Sequence, residues 1–152
     1  MGTIYFGRIA VGKSTVVKKI HGNDFIDCDK SIWNHHRLPR EWVKSRFREA
    51  IESGDKDEYR YLLRWFVKSI DMHNVFLEDT NYEVSVFGNY YNQLLIPSCI
   101  ADRFNLVKVS CSTESRERNI ESRGLDCEWV DKCDYMYEDP SVWFETIYIE
   151  DY

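Results

Sequence analysis

Two rhythms run along this chain. Short apolar runs end in polar or acidic residues, and longer stretches repeat at helical spacing. Ile4-Tyr5-Phe6 predicts a strand over residues 3 to 6. Phe25-Ile26-Asp27-Cys28-Asp29 predicts a second, whose alternation would point Asp27 and Asp29 to the same side. Asn74-Val75-Phe76-Leu77-Glu78-Asp79 and Leu106-Val107-Lys108-Val109-Ser110-Cys111 predict a third and a fourth. Helical spacing fills the intervals. Residues 40 to 53 put Trp42, Val43, Phe47, Ala50 and Ile51 on one face, and Gly54 ends that helix. Asp55 through Glu58 has capping-box spacing before a second amphipathic helix carrying Tyr59, Leu62, Leu63, Phe66, Val67 and Ile70. Residues 83 to 103 read as mostly helical, with Tyr90, Tyr91, Leu94 and Leu95 inward and a break at Pro97. Ser112 or Thr113 caps a helix from Glu114 to Arg123, closed by Gly124. Strands alternating with helices predict an α/β domain with a central parallel sheet of about five strands, flanked by helices.

Between the first strand and the first helix stands Gly7-Arg8-Ile9-Ala10-Val11-Gly12-Lys13-Ser14-Thr15, which reads G-x-x-x-x-G-K-S. Strand, glycine loop and helix together are the context of a phosphate-binding P-loop. Backbone N–H groups between Gly7 and Gly12 would surround a phosphate chain, and the helix N-terminus adds partial positive charge. Lys13 would reach the β- and γ-phosphates of ATP, and Ser14 would ligate Mg²⁺. A chance glycine turn is the bland alternative. Ala10-Val11 and Arg8 are unusual residues for such a loop.

Composition narrows the picture. The 152 residues suit one domain spanning the whole chain, and the net charge of −6 argues against a large nucleic-acid footprint. No apolar stretch is long enough for a bilayer, and no signal peptide is expected, because the first strand leads straight into the loop. Cys28, Cys99, Cys111, Cys127 and Cys133 lack C-x-x-C spacing, which predicts reduced thiols and a cytoplasmic protein. The aromatic surplus, Trp33, Trp42 and Trp65 included, reads mostly as core, with base stacking as the other use.

Phosphoryl transfer also needs cations on the moving group and a positioned acceptor. Arg116 and Arg123 are seven apart and share a helix face with Asn119, while Arg118 points elsewhere. They read either as a lid or as a solvated charged helix among Glu114, Glu117 and Glu121. A hydroxyl acceptor calls for a carboxylate base, with Asp27 and Asp29 the candidates. A phosphate acceptor calls instead for cations, for which Arg37, Arg40, Arg46 and Arg48 are available, though surface charge is their plainer role. Glu78-Asp79 would end the third strand with a metal-organising acid. His35-His36 reads as a polar loop.

With these residues placed, the chain resembles the polynucleotide-kinase-like group of P-loop kinases. The similar pieces run in order: the loop Gly7 to Thr15; Asp29 after the second strand; Asp79-Thr80-Asn81 as the family's D-T-N; Arg118-Asn119 through Arg123-Gly124 as its lid. Val130-Asp131 with Met136-Tyr137 resembles the short helix after the lid. Tyr137-Glu138-Asp139-Pro140 and Glu145 to Ile149 resemble the closing turn and last strand. The resemblance implies an ATP-dependent, Mg²⁺-assisted kinase acting on a hydroxyl of a nucleic-acid end or nucleotide. Asp29 would be the base, Arg123 would bridge phosphates with Arg116 or Arg118, and Asp79 would organise the site. Ile32 stands where that family holds its acceptor's phosphate with arginine; Lys30 or Arg37 are the nearest substitutes. Phe25 to Asp29 is also similar to the I-D-A-D of dephospho-coenzyme A kinases. A nucleoside-monophosphate kinase and a nucleotide-binding switch without catalysis are the other readings. Residues 129 to 137 distinguish the kinase families: helix in the first, strand in the second.

Overall fold

The computed structural model describes residues 1–35, 38–69, 75–83 and 102–152, apart from the side chains of Asp29, His35 and Val67. Its centre is a five-stranded sheet in the order β2-β3-β1-β4-β5, parallel throughout. The strands are β1 (Gly2–Phe6), β2 (Ile26–Asp27), β3 (Tyr82–Glu83), β4 (Phe104–Ser110) and β5 (Glu145–Tyr148). The helices are α1 (Lys13–His21), α2 (Cys28–His35), α3 (Arg40–Ser53), α4 (Lys56–Lys68), α5 (Thr113–Ser122) and α6 (Cys127–Met136), with a final 3₁₀ turn at Ile149–Asp151. This is the α/β architecture, a parallel sheet flanked by helices, that the alternation predicts.

Helices cover both faces of the sheet, so β1 reads as a continuous apolar run rather than an alternating one. On one face Ile4 and Phe6 join Phe47, Tyr59 and Phe66 of α3 and α4, and Phe76, Tyr82 and Phe104. On the other, Tyr5, Val107 and Val109 pack beneath Val16 and Val17 of α1. Local chemistry sets the helix ends. Gly54 ends α3 in a left-handed conformation (φ 71°), and the Glu58 N–H donates to Asp55 Oδ1 at 3.0 Å at the start of α4. The Ser115 N–H donates to the Ser112 side chain at 3.1 Å, capping α5.

Three departures from the sequence reading bear on the site. The second strand stops at Asp27, and Cys28 already opens α2. Cys28 and Ile32, four apart, are both buried, and that helical pairing outweighs continued strand. Asp27 and Asp29 therefore do not share a strand face.

The third strand is Tyr82–Glu83, not the apolar run before it. Val75 and Phe76 are buried without pairing in the sheet. Phe76 meets Tyr82 and Phe104 edge-on at 5.2 and 6.2 Å, and the Leu77 N–H donates to Tyr82 Oη at 2.8 Å. Asp79 turns the chain at φ 56°. Glu83 belongs to the strand rather than to a helix from 83 to 103, and Phe104 begins β4. Tyr90, Tyr91, Leu94, Leu95, Pro97 and Cys99 fall outside the described residues, as do Ile70 and Asn74.

Residues 127 to 136 are helical, with no strand there. No helix among the described residues is long and apolar enough to cross a membrane.

Candidate active site

The carboxyl ends of the strands meet around a cavity of about 540 Å³. Ile9, Ala10, Gly12, Lys13, Ser14 and Thr15 form its floor, Asp27 and Glu83 one wall, and Asn119, Ser122 and Arg123 of the α5 end another. Open parallel sheets bind ligands at this edge.

The floor is a tight loop. A Cβ on Gly7 would lie 2.5 Å from the Val109 carbonyl oxygen, so the loop leaves β1 pressed against β4. Gly12 sits left-handed (φ 93°) at the start of α1, which frees the first N–H groups of that helix. Lys13 is buried and folds back over the loop, donating to the Gly7 and Arg8 carbonyls at 3.1 Å each. Burial drives its pKa down to about 8; the neighbouring Glu83 carboxylate pulls it up, and Arg123 and Arg116 push it further down.

Ser14 Oγ donates to Glu83 Oε1 at 2.6 Å. That bond joins the loop to the end of β3 and sets two hard oxygen donors side by side, with Asp27 lining the same cavity. Such a set fits Mg²⁺, which takes one or two protein oxygens and keeps several waters. Among the described residues, no cluster of three or more histidines, cysteines and carboxylates could hold a metal alone.

α5 approaches from above. Arg116 Nε and Nη2 donate to the Ile9 carbonyl at 3.1 and 3.0 Å, and Nη1 and Nη2 grip Asp134 of α6 at 2.6 and 2.7 Å. Three residues on, Asn119 Nδ2 donates to the Ala10 carbonyl at 3.0 Å. Arg116 is thus committed to the protein itself rather than held out as a finger. Arg118 lies exposed on α5, donating to Ser115 Oγ at 3.2 Å.

The structure therefore collects Lys13, Ser14, Thr15, Asp27 and Arg123 with Gly12 around one cavity and sets Gly7 at the loop's entry. It places Asp79 elsewhere. Asp79 pairs with the N-terminal amine of Met1 at 3.1 Å, at the start of β1 and thus the opposite end of the sheet. Asp79 lies away from the cavity in this arrangement, because the strand expected to carry it to the loop is a turn. Asn81, next along, is structural: its side chain accepts from the Thr3 N–H and donates to the Asp24 carbonyl, both at 3.1 Å. Asp29 stands in the first turn of α2, two residues after cavity-lining Asp27, and its side chain lies outside the description. Arg37 and His36 fall outside the described residues.

Sequence reasoning missed Glu83 and Asp134. Glu83 follows the turn signal Asp79-Thr80-Asn81 and one aromatic residue, too short a run to show strand periodicity. Asp134 lies on α6 among other acids, with no local signal.

No model of a known protein family matches the sequence, and no curated protein does. Among solved structures, a gluconokinase from Sinorhizobium meliloti 1021 is similar, with a TM-score of 0.52 and 18% identity over 97% of this chain and 81% of that one. The two share a fold.

Proposed function

We propose that this protein is an ATP-dependent kinase that transfers the γ-phosphoryl group to a hydroxyl of a nucleic-acid end or nucleotide. One observation carries the reading: Lys13, the Ser14–Glu83 pair, Asp27 and Arg123 line one cavity where the parallel strands end. The loop amides and Lys13 bind the phosphates, and Arg123 approaches them from the α5 side. Ser14 and Glu83 are the groups suited to hold Mg²⁺, which when bound offsets charge between the β- and γ-phosphates. The acceptor oxygen bonds to the γ-phosphorus as the bond to the ADP oxygen breaks, and a carboxylate takes the hydroxyl proton. Asp29 is assigned that role from the resemblance, with Asp27 beside it.

A hydroxyl acceptor suits the site better than a phosphate. The acceptor-side wall is acidic, and Arg116 is spent on Asp134 and Ile9. Arg46 on α3 faces Glu58 at 3.4 Å and the Trp42 ring at 5.8 Å instead. The helix at Cys127–Met136 supports the polynucleotide-kinase-like reading over its strand-bearing rival. The gluconokinase likeness favours a second acceptor class, the hydroxyl of a small sugar acid.

Incubation with Mg²⁺ and γ-labelled ATP tests these together, with a 5′-hydroxyl oligonucleotide, mixed nucleoside monophosphates and gluconate as parallel acceptors. Label on the oligonucleotide supports the proposal. Label on gluconate moves it to the second class, and conversion of the monophosphates to diphosphates labelled at the β-phosphate overturns a hydroxyl acceptor. ATP binding without transfer to any acceptor would favour the switch reading.

A further inference from the structure

Ala10 is the strained point of the phosphate loop. Its φ is 63°, in the left-handed region that a residue with a Cβ disfavours. The peptides on either side of it are both held from outside the loop. The Ile9 carbonyl belongs to the peptide before Ala10 and accepts two hydrogen bonds from Arg116. The Ala10 carbonyl belongs to the peptide after it and accepts from Asn119. A trans peptide is planar with its C=O and N–H opposed, so fixing both carbonyls also fixes where the Ala10 and Val11 N–H groups point. These amides belong to the anion-binding stretch of the loop. The bidentate contact to Asp134 in turn locks the Arg116 fork, and α6 packs Val130 against Ile9 and Ala10.

We infer that Arg116 and Asn119, with Asp134 behind Arg116, are positioning residues that hold Ala10 in its left-handed conformation and thereby keep the phosphate loop ready for nucleotide. Arg116 does not act on the phosphates. The nucleotide part of this inference rests on the kinase reading; the loop-holding part does not.

Two measurements on the full chain separate them. The first reads the Ala10 φ without nucleotide, by NMR, from the intraresidue amide–Hα contact and the three-bond coupling. In Asn119→Ala and Asp134→Asn, Ala10 should leave the left-handed region for part of the time; an unchanged φ in both overturns the brace. Asn119→Asp retains the side-chain shape but sets an acceptor against the Ala10 carbonyl, so it serves should Asp134→Asn fail to fold. The second titrates Mg·ATP by calorimetry. Asn119→Ala should raise Kd about tenfold, the scale of one lost hydrogen bond, and clearly less in an Ala10→Gly background, where the left-handed conformation needs no holding. An equal loss in both backgrounds would mean that Asn119 touches the nucleotide itself. Unchanged or tighter binding in Asp134→Asn would mean that Asp134 withholds Arg116 from the phosphates. Either result overturns the inference. If the unaltered protein binds no Mg·ATP, the kinase reading fails, and the NMR measurement still decides the brace.

Discussion

Ser14 Oγ and Glu83 Oε1 lie 2.6 Å apart, which ties the first turn after the glycine loop to the end of β3. The pair fixes the loop's hydroxyl and sets a carboxylate beside the buried Lys13. Glu83→Gln retains a hydrogen-bond acceptor and removes the charge. Transfer should fall by about 10²-fold or more with folding unchanged, since the carboxylate would hold Mg²⁺, whose charge at the transferring phosphoryl group is worth several kcal/mol. The Mg²⁺ concentration for half-maximal rate should rise. Steady-state kinetics at varied Mg²⁺ checks this, and wild-type turnover would rule Glu83 out.

If Lys13 meets the phosphates of a nucleotide, affinity should depend on pH. Burial lowers its pKa to about 8, so in the free protein it loses its proton as pH rises through that value. Bound phosphates favour the ammonium and raise the pKa again. Binding above pH 8 therefore takes up a proton, and affinity should fall by up to about tenfold per pH unit there while staying flat below. Because the Glu83 carboxylate raises the Lys13 pKa, Glu83→Gln should move the onset to lower pH. Calorimetry in buffers of different ionisation enthalpy reads both effects. A flat profile from pH 7 to 9.5 would contradict them.

Asp79 and Asn81 should separate cleanly. Asp79→Ala removes an exposed contact to the N-terminal amine, far from the cavity, and transfer should stay within about twofold. Asn81→Ala removes the bonds that pin β1 and the β2 turn together and should cost about 1–3 kcal/mol in urea unfolding. A large loss of transfer in Asp79→Ala would restore it to the site.

What the sequence made legible follows from where its signals are local. The phosphate loop shows because glycine, lysine and hydroxyl must recur at fixed spacing. α3 and α4 show because Val43, Phe47, Ala50 and Ile51, then Tyr59, Leu62, Leu63 and Phe66, bury one face at helical period. β3 does not show. Val75 and Phe76 look like a strand because they are apolar, yet they are buried in the core without strand pairing, Phe76 against the rings of Tyr82 and Phe104, while the pairing falls to two residues. That displacement puts Glu83 rather than Asp79 at the strand end beside Ser14. The spacing of Arg116, Asn119 and Arg123 did reveal a shared face, but not that Arg116 grips Asp134 while Asn119 and Arg123 line the cavity, since Asp134 comes from a separate helix.

On the kinase reading, the lid role would fall to Arg123 without Arg116, which is held by Ile9 and Asp134. Arg123 lines the cavity at the end of α5, beside Ser122. If it meets the phosphoryl group mainly in the transition state, Arg123→Ala should lower kcat by about 10²-fold or more and change the ATP KM little. Loss confined to KM would make it a binding residue.

The two acids after β2 give the last test, because strand geometry does not make them equivalent. Asp27 ends the strand and lines the cavity; Asp29 stands two residues later, in the first turn of α2. A base must reach the acceptor hydroxyl, whereas an acid near Ser14 and Glu83 acts on charge and metal. Asp29→Asn should lower transfer to a hydroxyl by about 10²–10⁴-fold and leave ATP binding intact, the mark of lost base catalysis. Asp27→Asn should shift the Mg²⁺ dependence alongside the rate. A rate that recovers at high pH in Asp29→Asn, where the hydroxyl ionises without help, would support the assignment. If instead Asp27→Asn shows the larger loss at saturating Mg²⁺, the base is Asp27, and the role passes from the helix to the strand end.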